Sequence, residues 1–143
     1  MKKLFFFLFV CVSVVFAQIP EPSSSEKCAV CNMDLKPFKK TLSAVKLKDG
    51  SIKYTEAPLH LFEFYFANKD KVSQLYVKDY KTGKWIPAEN GFYVMIEDGP
   101  MGMDFVAFGS KIEAQKFSKG SKIYQFKDIN PKILEEMKTT HHH

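Results

Sequence analysis

The sequence predicts an α+β fold in which a strand–strand–helix–strand unit occurs twice. Stretches in which apolar and polar residues alternate favour strands, and two stretches with apolar residues near helical spacing favour helices. These patterns follow one another in the same order in both halves, and QFKDI near the end echoes YVKDY of the first half. The predicted domain spans 28–130, with repeats at about 28–80 and 91–130.

The first unit begins with the alternating stretch TLSAVKLKDG, which ends in Asp49 and Gly50, a pair typical of hairpin turns. SIKYTE is then the returning strand. A helix is predicted in APLHLFEFYFANK, because proline is favoured at the first helical position and apolar residues recur near helical spacing, at Leu59, Phe62 and Phe66. SQLYVKDY is predicted as the third strand, and KTGKW as a turn.

The second unit begins with GFYVMIED and MDFVAF, two predicted strands joined through a Gly-Pro-Met-Gly turn. A helix follows in SKIEAQKFSKG, where Ser110 and Glu113 occupy capping-box positions and Gly120 ends the pattern. SKIYQFKDI is the matching third strand. The remaining residues, 131–143, are expected to form a short final helix or a tail.

The N-terminus predicts export. Two lysines precede an almost wholly apolar run from Leu4 to Ala17, which is too short to span a bilayer comfortably and ends in small residues. We therefore expect 1–17 to be a cleaved signal peptide that removes Cys11, which lacks the small preceding residue that lipid attachment needs. Residues 18–27, rich in Pro and Ser, are expected to form a flexible linker to a periplasmic domain.

The charge pattern argues against nucleic acid as a partner. The formal net charge is +5, but the lysines alternate with acids and form no basic block. The sequence contains no P-loop, dinucleotide fingerprint, nucleophile elbow or HExxH motif. The histidines are His60, predicted to be a partly buried structural residue of the first helix, and the terminal His141–His143, excluded because a flexible tail coordinates poorly.

Three sulfur-bearing residues lie together in KCAVCNMD, at Cys28, Cys31 and Met33. In an extended segment, residues two apart point the same way, so Cys31 and Met33 would face one small site. Soft sulfur ligands select Cu(I), whereas a closed structural zinc site needs more cysteines or histidines than this chain has. This stretch therefore predicts a Cu(I) site.

A second sulfur pair lies in EDGPMGMDFVAF, at Met101 and Met103. Glycine and proline break regular structure around Met101, which would leave its side chain poorly covered. Met103 is expected to begin the next strand and point inward. Met101 therefore joins Cys28, Cys31 and Met33 as a candidate metal ligand.

Two other interpretations of the CxxC pair stay open. Exported CxxC pairs also serve thiol–disulfide oxidoreductases, in which a helix following the first cysteine stabilises the thiolate. Here NMDLKPF follows, with turn formers and Pro37 where that helix would continue. The third interpretation is a small exported domain with one structural disulfide that binds a protein partner.

Four features together resemble the NosL family, accessory copper proteins of nitrous-oxide reductase. These are CAVCNM after an export signal, LYVKDYKTGKWIPAENGFYV, GPMGMDFVAF, and A-x-x-F (Ala114 and Phe117) followed by IYQFKDI. The likeness covers Lys27 to Ile129. It implies a duplicated α+β fold without enzymatic activity. It also implies Cu(I) held by a cysteine and a methionine, and transfer in the periplasm to the reductase or its maturation proteins.

By position, the family's cysteine ligand maps to Cys28 or Cys31, with Met33 in the same motif, and its later methionine maps to Met101. The chain departs from its relatives at three points. It lacks the lipid-attachment signal of many relatives, so membrane anchoring is not expected. Asn32 stands where relatives usually have glycine. SKGSK stands where they often have His-Gly-Gly, so no histidine role carries over there. His60 could replace that histidine, but a structural role is favoured for a helical histidine between two leucines.

Overall fold

The structure, a computed structural model, describes residues 19–140. The predicted signal peptide at 1–17 and the terminal histidines at 141–143 lie outside the described residues. Within the described part of the chain, every helix is too short or too polar to cross a bilayer.

The first unit consists of β1 (Ser43–Leu47), β2 (Ile52–Thr55), α1 (Pro58–Ala67) and β3 (Val72–Lys78). A short further strand, β4 (Trp85–Pro87), extends its antiparallel sheet, whose strand order is β2-β1-β3-β4. The sequence patterns predict a turn where β4 begins, because three residues are too few to show an alternation.

The second unit consists of β5 (Phe92–Gly99), β6 (Gly102–Phe108), α2 (Lys111–Ser118) and β7 (Ile123–Gln125), with strand order β6-β5-β7. In both units the first strand is central and the second and third strands flank it. The predicted α+β fold with a repeated strand–strand–helix–strand order is therefore confirmed. β7 is shorter than predicted, since the Asp128 carboxylate accepts the Gln125 N–H at 2.8 Å and turns the chain.

Helix α1 belongs to the first unit but packs between the two sheets and contacts both of them. Phe62 lies at its centre, with its ring edge-on to Tyr93 of β5 at 5.3 Å and to Phe105 of β6 at 6.3 Å between ring centroids. A helix enclosed on most sides is apolar on most faces, which explains the composition of α1. The common core therefore holds the first residues of α1 in a defined place.

The start of the predicted flexible linker is packed against the first sheet. The side chain of Ile19 is buried, and the Tyr54 hydroxyl donates to the Pro20 carbonyl at 2.6 Å. The Glu21 carboxylate pairs with the buried ammonium of Lys78. The expectation of a free linker is thus corrected for residues 19–21, which bury apolar surface and satisfy a buried charge.

The C-terminal segment forms a helix, α3 (Pro131–Thr139), rather than a tail. Proline is at its first position, and the Asn130 side chain caps it by accepting the Ile133 N–H at 3.0 Å. Leu134 and Met137 are buried in the common core, where α3 packs against α1.

Candidate metal centre

The sulfur motif folds as a tight loop that joins the core. The Cys28 N–H donates to the Met33 carbonyl, and the Asn32 N–H donates to the Cys28 carbonyl, each at 2.9 Å. Asn32 has a φ of 62°, a left-handed geometry that asparagine and glycine tolerate best. The expected extended geometry of Cys31 and Met33 is therefore wrong, because the segment closes into a turn.

The loop surrounds the sulfur of Cys28 with hydrogen-bond donors. Its Sγ lies 3.4 Å from the Val30 amide nitrogen and 3.5 Å from that of Cys31, and both amides donate to it. The Cys28 side chain is buried, whereas Cys31 is half-buried, and both residues are free thiols in the structure. Amides directed at a sulfur stabilise a thiolate, the form that binds metals.

The start of α1 brings a carboxylate and an imidazole to this loop. Glu56 lies two residues before the helix and His60 lies in its first turn, and both side chains are buried. His60 Nδ1 is 2.5 Å from Glu56 Oε1 and 3.8 Å from Cys28 Sγ. The Cys31 thiol donates to Glu56 Oε2 at 3.4 Å.

These four side chains form one cluster, in which one ligand atom from each lies within 4.8 Å of the others. We call it the cysteine–histidine cluster: Cys28, Cys31, Glu56 and His60. Two sulfurs, a ring nitrogen and a carboxylate oxygen at this spacing are a donor set for a soft or borderline metal ion.

The electrostatics of the cluster favour a thiolate at Cys28. Burial by itself raises the pKa of the Cys28 thiol, but the contact with His60 and the two backbone amides outweigh it and lower the pKa. Burial also opposes the charge of Glu56, yet its contacts with His60 and Cys28 keep the pKa of that carboxyl below its ordinary value. The surroundings of both groups thus favour their charged forms.

The remaining two members hold protons. Burial lowers the pKa of His60, but its contacts with Cys28 and Glu56 dominate and raise the pKa to about 10. Burial, with the nearby Cys28 and Glu56, raises the pKa of the Cys31 thiol to about 12. The cluster therefore favours the charged forms of Cys28 and Glu56, an imidazolium at His60 and a protonated thiol at Cys31.

An acid from the second unit supports the start of α1. Ala57 precedes the helix and has no polar side chain to cap it. Instead, Asp104 of β6 accepts the Leu59 N–H at 3.0 Å and the Phe105 N–H at 2.7 Å through Oδ1. Burial raises the pKa of Asp104 to about 7, although these hydrogen bonds lower it. The position of His60 thus depends on both units.

The structure brings together two of the four predicted ligands, Cys28 and Cys31. Met33 is half-buried and packs against the apolar cluster that contains Cys28. Met101 lies in the turn between β5 and β6 with 57% of its surface exposed, and Met103 packs against the core as expected. A role for either predicted methionine ligand, Met33 or Met101, stays a prediction.

One residue of the turn that carries Met101 borders a groove that reaches Thr41, a neighbour of Glu56. That residue is Pro100, and the groove has a volume of about 560 Å³. The Thr41 hydroxyl donates to the Glu56 carbonyl oxygen at 2.7 Å.

Sequence reasoning missed Glu56 as a site residue and interpreted His60 as structural. The one available signal was their spacing of four at the start of a helix, which places both side chains on one face. That spacing is common on helix surfaces, so it did not distinguish a site from a solvated face.

The chain was compared with known proteins. A family model described as NosL matches residues 19–134. The crystal structure of the copper chaperone NosL from Shewanella denitrificans superposes with a TM-score of 0.72, at 23% sequence identity over 80% of this chain and 97% of that chain. At this identity the structural likeness establishes the fold. The comparison with curated proteins found no match. Because the family model covers most of its length, this chain belongs to the NosL family.

Proposed function

We propose that this protein is an exported carrier that binds Cu(I) at the cysteine–histidine cluster and delivers it to a copper enzyme. The observation that carries the proposal is the meeting of two free cysteines with a buried histidine in a chain of the NosL family. The copper chaperone from Shewanella denitrificans, which shares the fold, supports the same conclusion.

The donor chemistry favours Cu(I) over harder ions. The surroundings of Cys28 favour its thiolate form, and Cys31 supplies a second sulfur after losing its proton. A carboxylate oxygen suits Cu(I) poorly, so we assign Glu56 to holding His60 through Nδ1 before the ion binds, and to accepting the Cys31 thiol hydrogen bond, rather than to binding copper.

Graded exposure gives the ion a route in and out. Cys28 is only 3% exposed, Cys31 is half-buried, and Met101 is exposed in its turn. We assign Met33 and Met101 as thioether ligands that complete the site from the side facing the solvent. An acceptor's ligand then attacks copper at that side before Cys28 releases it, so that transfer proceeds through shared coordination.

The setting follows from the sequence and the family. The predicted signal peptide directs the carrier to the periplasm, and a membrane anchor is not part of the proposal. The recipient is nitrous-oxide reductase or its maturation proteins, as the resemblance to NosL implies. Delivery of an ion requires no chemical turnover, so the protein is proposed to be a non-enzyme.

The test is a titration of reduced protein with Cu(I) against a chelating competitor. Cys28→Ser, Cys31→Ser and Met101→Leu are each expected to weaken binding by more than about tenfold, ~1.4 kcal/mol. Met103→Leu is the matched control, because Met103 lies on the same hairpin but packs in the core. Unchanged affinity in all three ligand variants would remove the proposal.

A thiol–disulfide oxidoreductase is the second candidate, and one observation favours it. The lowered pKa of the Cys28 thiol is typical of an attacking cysteine. However, Cys28 is the buried member of the pair, and the accessible Cys31 has its pKa raised to about 12. Exchange needs the accessible thiol to be the activated one, so we expect no turnover in a disulfide-exchange assay.

A further inference from the structure

Glu63 lies one turn after His60 on α1, and its carboxylate is placed between His60 and α3. Its Oε2 is 4.0 Å from His60 Nε2, and its Oε1 is 2.7 Å from the ammonium nitrogen of Lys138. The lysine is within ion-pair distance, but its orientation leaves Oε1 without a directed hydrogen bond in the part of the chain that the structure describes. The carboxylate is mostly buried, with 16% of the side chain exposed.

The two nitrogens of the His60 ring face different groups. Nδ1 points to Cys28 and Glu56, whereas Nε2 points to Glu63. A ring that binds a metal through Nδ1 keeps its remaining proton on Nε2. Metal-binding histidines usually donate that proton to a carboxylate, a carbonyl or water, which fixes the tautomer and the ring orientation.

We propose that Glu63, held by Lys138, is a positioning residue that fixes His60 with Nδ1 facing the cysteines and the proton on Nε2. This inference rests on the proposed function, because it gives His60 a role in metal binding. The separation of 4.0 Å exceeds a hydrogen bond, so a small rotation of the Glu63 carboxylate must accompany metal binding.

The inference also assigns a function to α3, which lies outside the repeated units. Lys138 is in the last turn of α3 and about half-exposed, so its charge is not needed to fill the core. Its ammonium group instead lies beside Glu63. Among the described residues, Glu63 supplies the α1 carboxylate that faces His60 Nε2. The terminal helix thereby supports the site through a charge.

The experiment compares Cu(I) affinity in Glu63→Ala, Glu63→Gln and Lys138→Met, using the full chain and the competition assay described above. Glu63→Ala is expected to weaken binding 10- to 100-fold, the range typical of lost outer-shell partners. Glu63→Gln keeps an oxygen acceptor and is expected to retain most of the affinity. Lys138→Met is expected to lose roughly 3- to 10-fold, because the carboxylate remains but is less well held.

Two controls and a second readout separate positioning from general destabilisation. Glu135→Gln and Lys132→Met remove exposed charges from the same helix α3 and are expected to bind Cu(I) like the wild type. Nitrogen-15 NMR of the copper-loaded protein reports the His60 tautomer. We expect the Nε2–H form in the wild type and in Glu63→Gln, and a mixture of tautomers in Glu63→Ala.

The possible failures are distinguishable. If the wild type binds Cu(I) tightly while Glu63→Ala and Lys138→Met match the controls in affinity and tautomer, the inference is overturned and the carrier function stands. If the wild type does not bind Cu(I), both are overturned. Should Glu63→Ala fail to fold, Lys138→Met still decides the question, because it removes the charge that holds Glu63 without leaving a cavity: weaker binding than the controls supports the inference, and affinity equal to theirs overturns it.

Discussion

Replacement of Asp104 by asparagine is expected to remove a pH-dependent loss of stability from the metal-free protein. Asp104 is 1% exposed, and its Oδ1 accepts two backbone N–H groups, while Oδ2 has no hydrogen-bond partner within residues 19–140. Burial raises its pKa from 3.8 to about 7, against the effect of those two hydrogen bonds. Asparagine keeps the Oδ1 acceptor and has no proton to lose in this range.

The sign follows from linkage between proton binding and folding. The folded protein holds the Asp104 proton up to about pH 7, whereas the unfolded chain releases it near pH 3.8. The contribution of Asp104 to stability is therefore fully present below pH 4 and is lost as the pH rises to about 7. A pKa shift of about three units corresponds to ~4 kcal/mol, at ~1.4 kcal/mol for each unit.

Urea unfolding of metal-free, reduced protein between pH 4 and pH 8 measures this effect. The difference in unfolding free energy between wild type and Asp104→Asn is expected to change by ~4 kcal/mol, in favour of the variant at high pH. Asp98→Asn is the control, because Asp98 is exposed on the same hairpin. A difference that stays constant across the pH range would refute the reasoning.

Three further outcomes are expected. Phe62→Ala should lower the unfolding free energy in urea by about 3–5 kcal/mol, since Phe62 is buried between both units, and a loss below ~1 kcal/mol would contradict that packing. Asn32→Gly should leave stability nearly unchanged, whereas Asn32→Val should cost about 1–2 kcal/mol in the same assay; equal effects would contradict the left-handed geometry. Cu(I) binding at pH 7 should release one proton from each of Cys31 and His60, because their pKa values are about 12 and about 10, so affinity should rise with pH. Calorimetry in buffers of different ionisation enthalpy counts these protons, and zero release would exclude both residues as ligands.

Local patterns were sufficient to predict most of the secondary structure. The alternation before Asp49 and Gly50, the proline at the start of α1 and the capping residues of α2 each act within a few residues of chain. The errors lie in the shortest elements, β4 and β7, where three residues carry too little pattern to compete with neighbouring turns.

The sequence by itself determined the α+β class, the repeated order of its elements and the two cysteines of the candidate site, because CxxC places both thiols in one loop. Only the tertiary structure added Glu56 and His60, which lie 25 and 32 residues from their cysteine partners. Their position beside the cysteines depends on the packing of α1 between both sheets and on the hydrogen bond from the start of the helix to Asp104 of the second unit. Such contacts between distant segments arise from the packing of a common core, and no local pattern of residues encodes them.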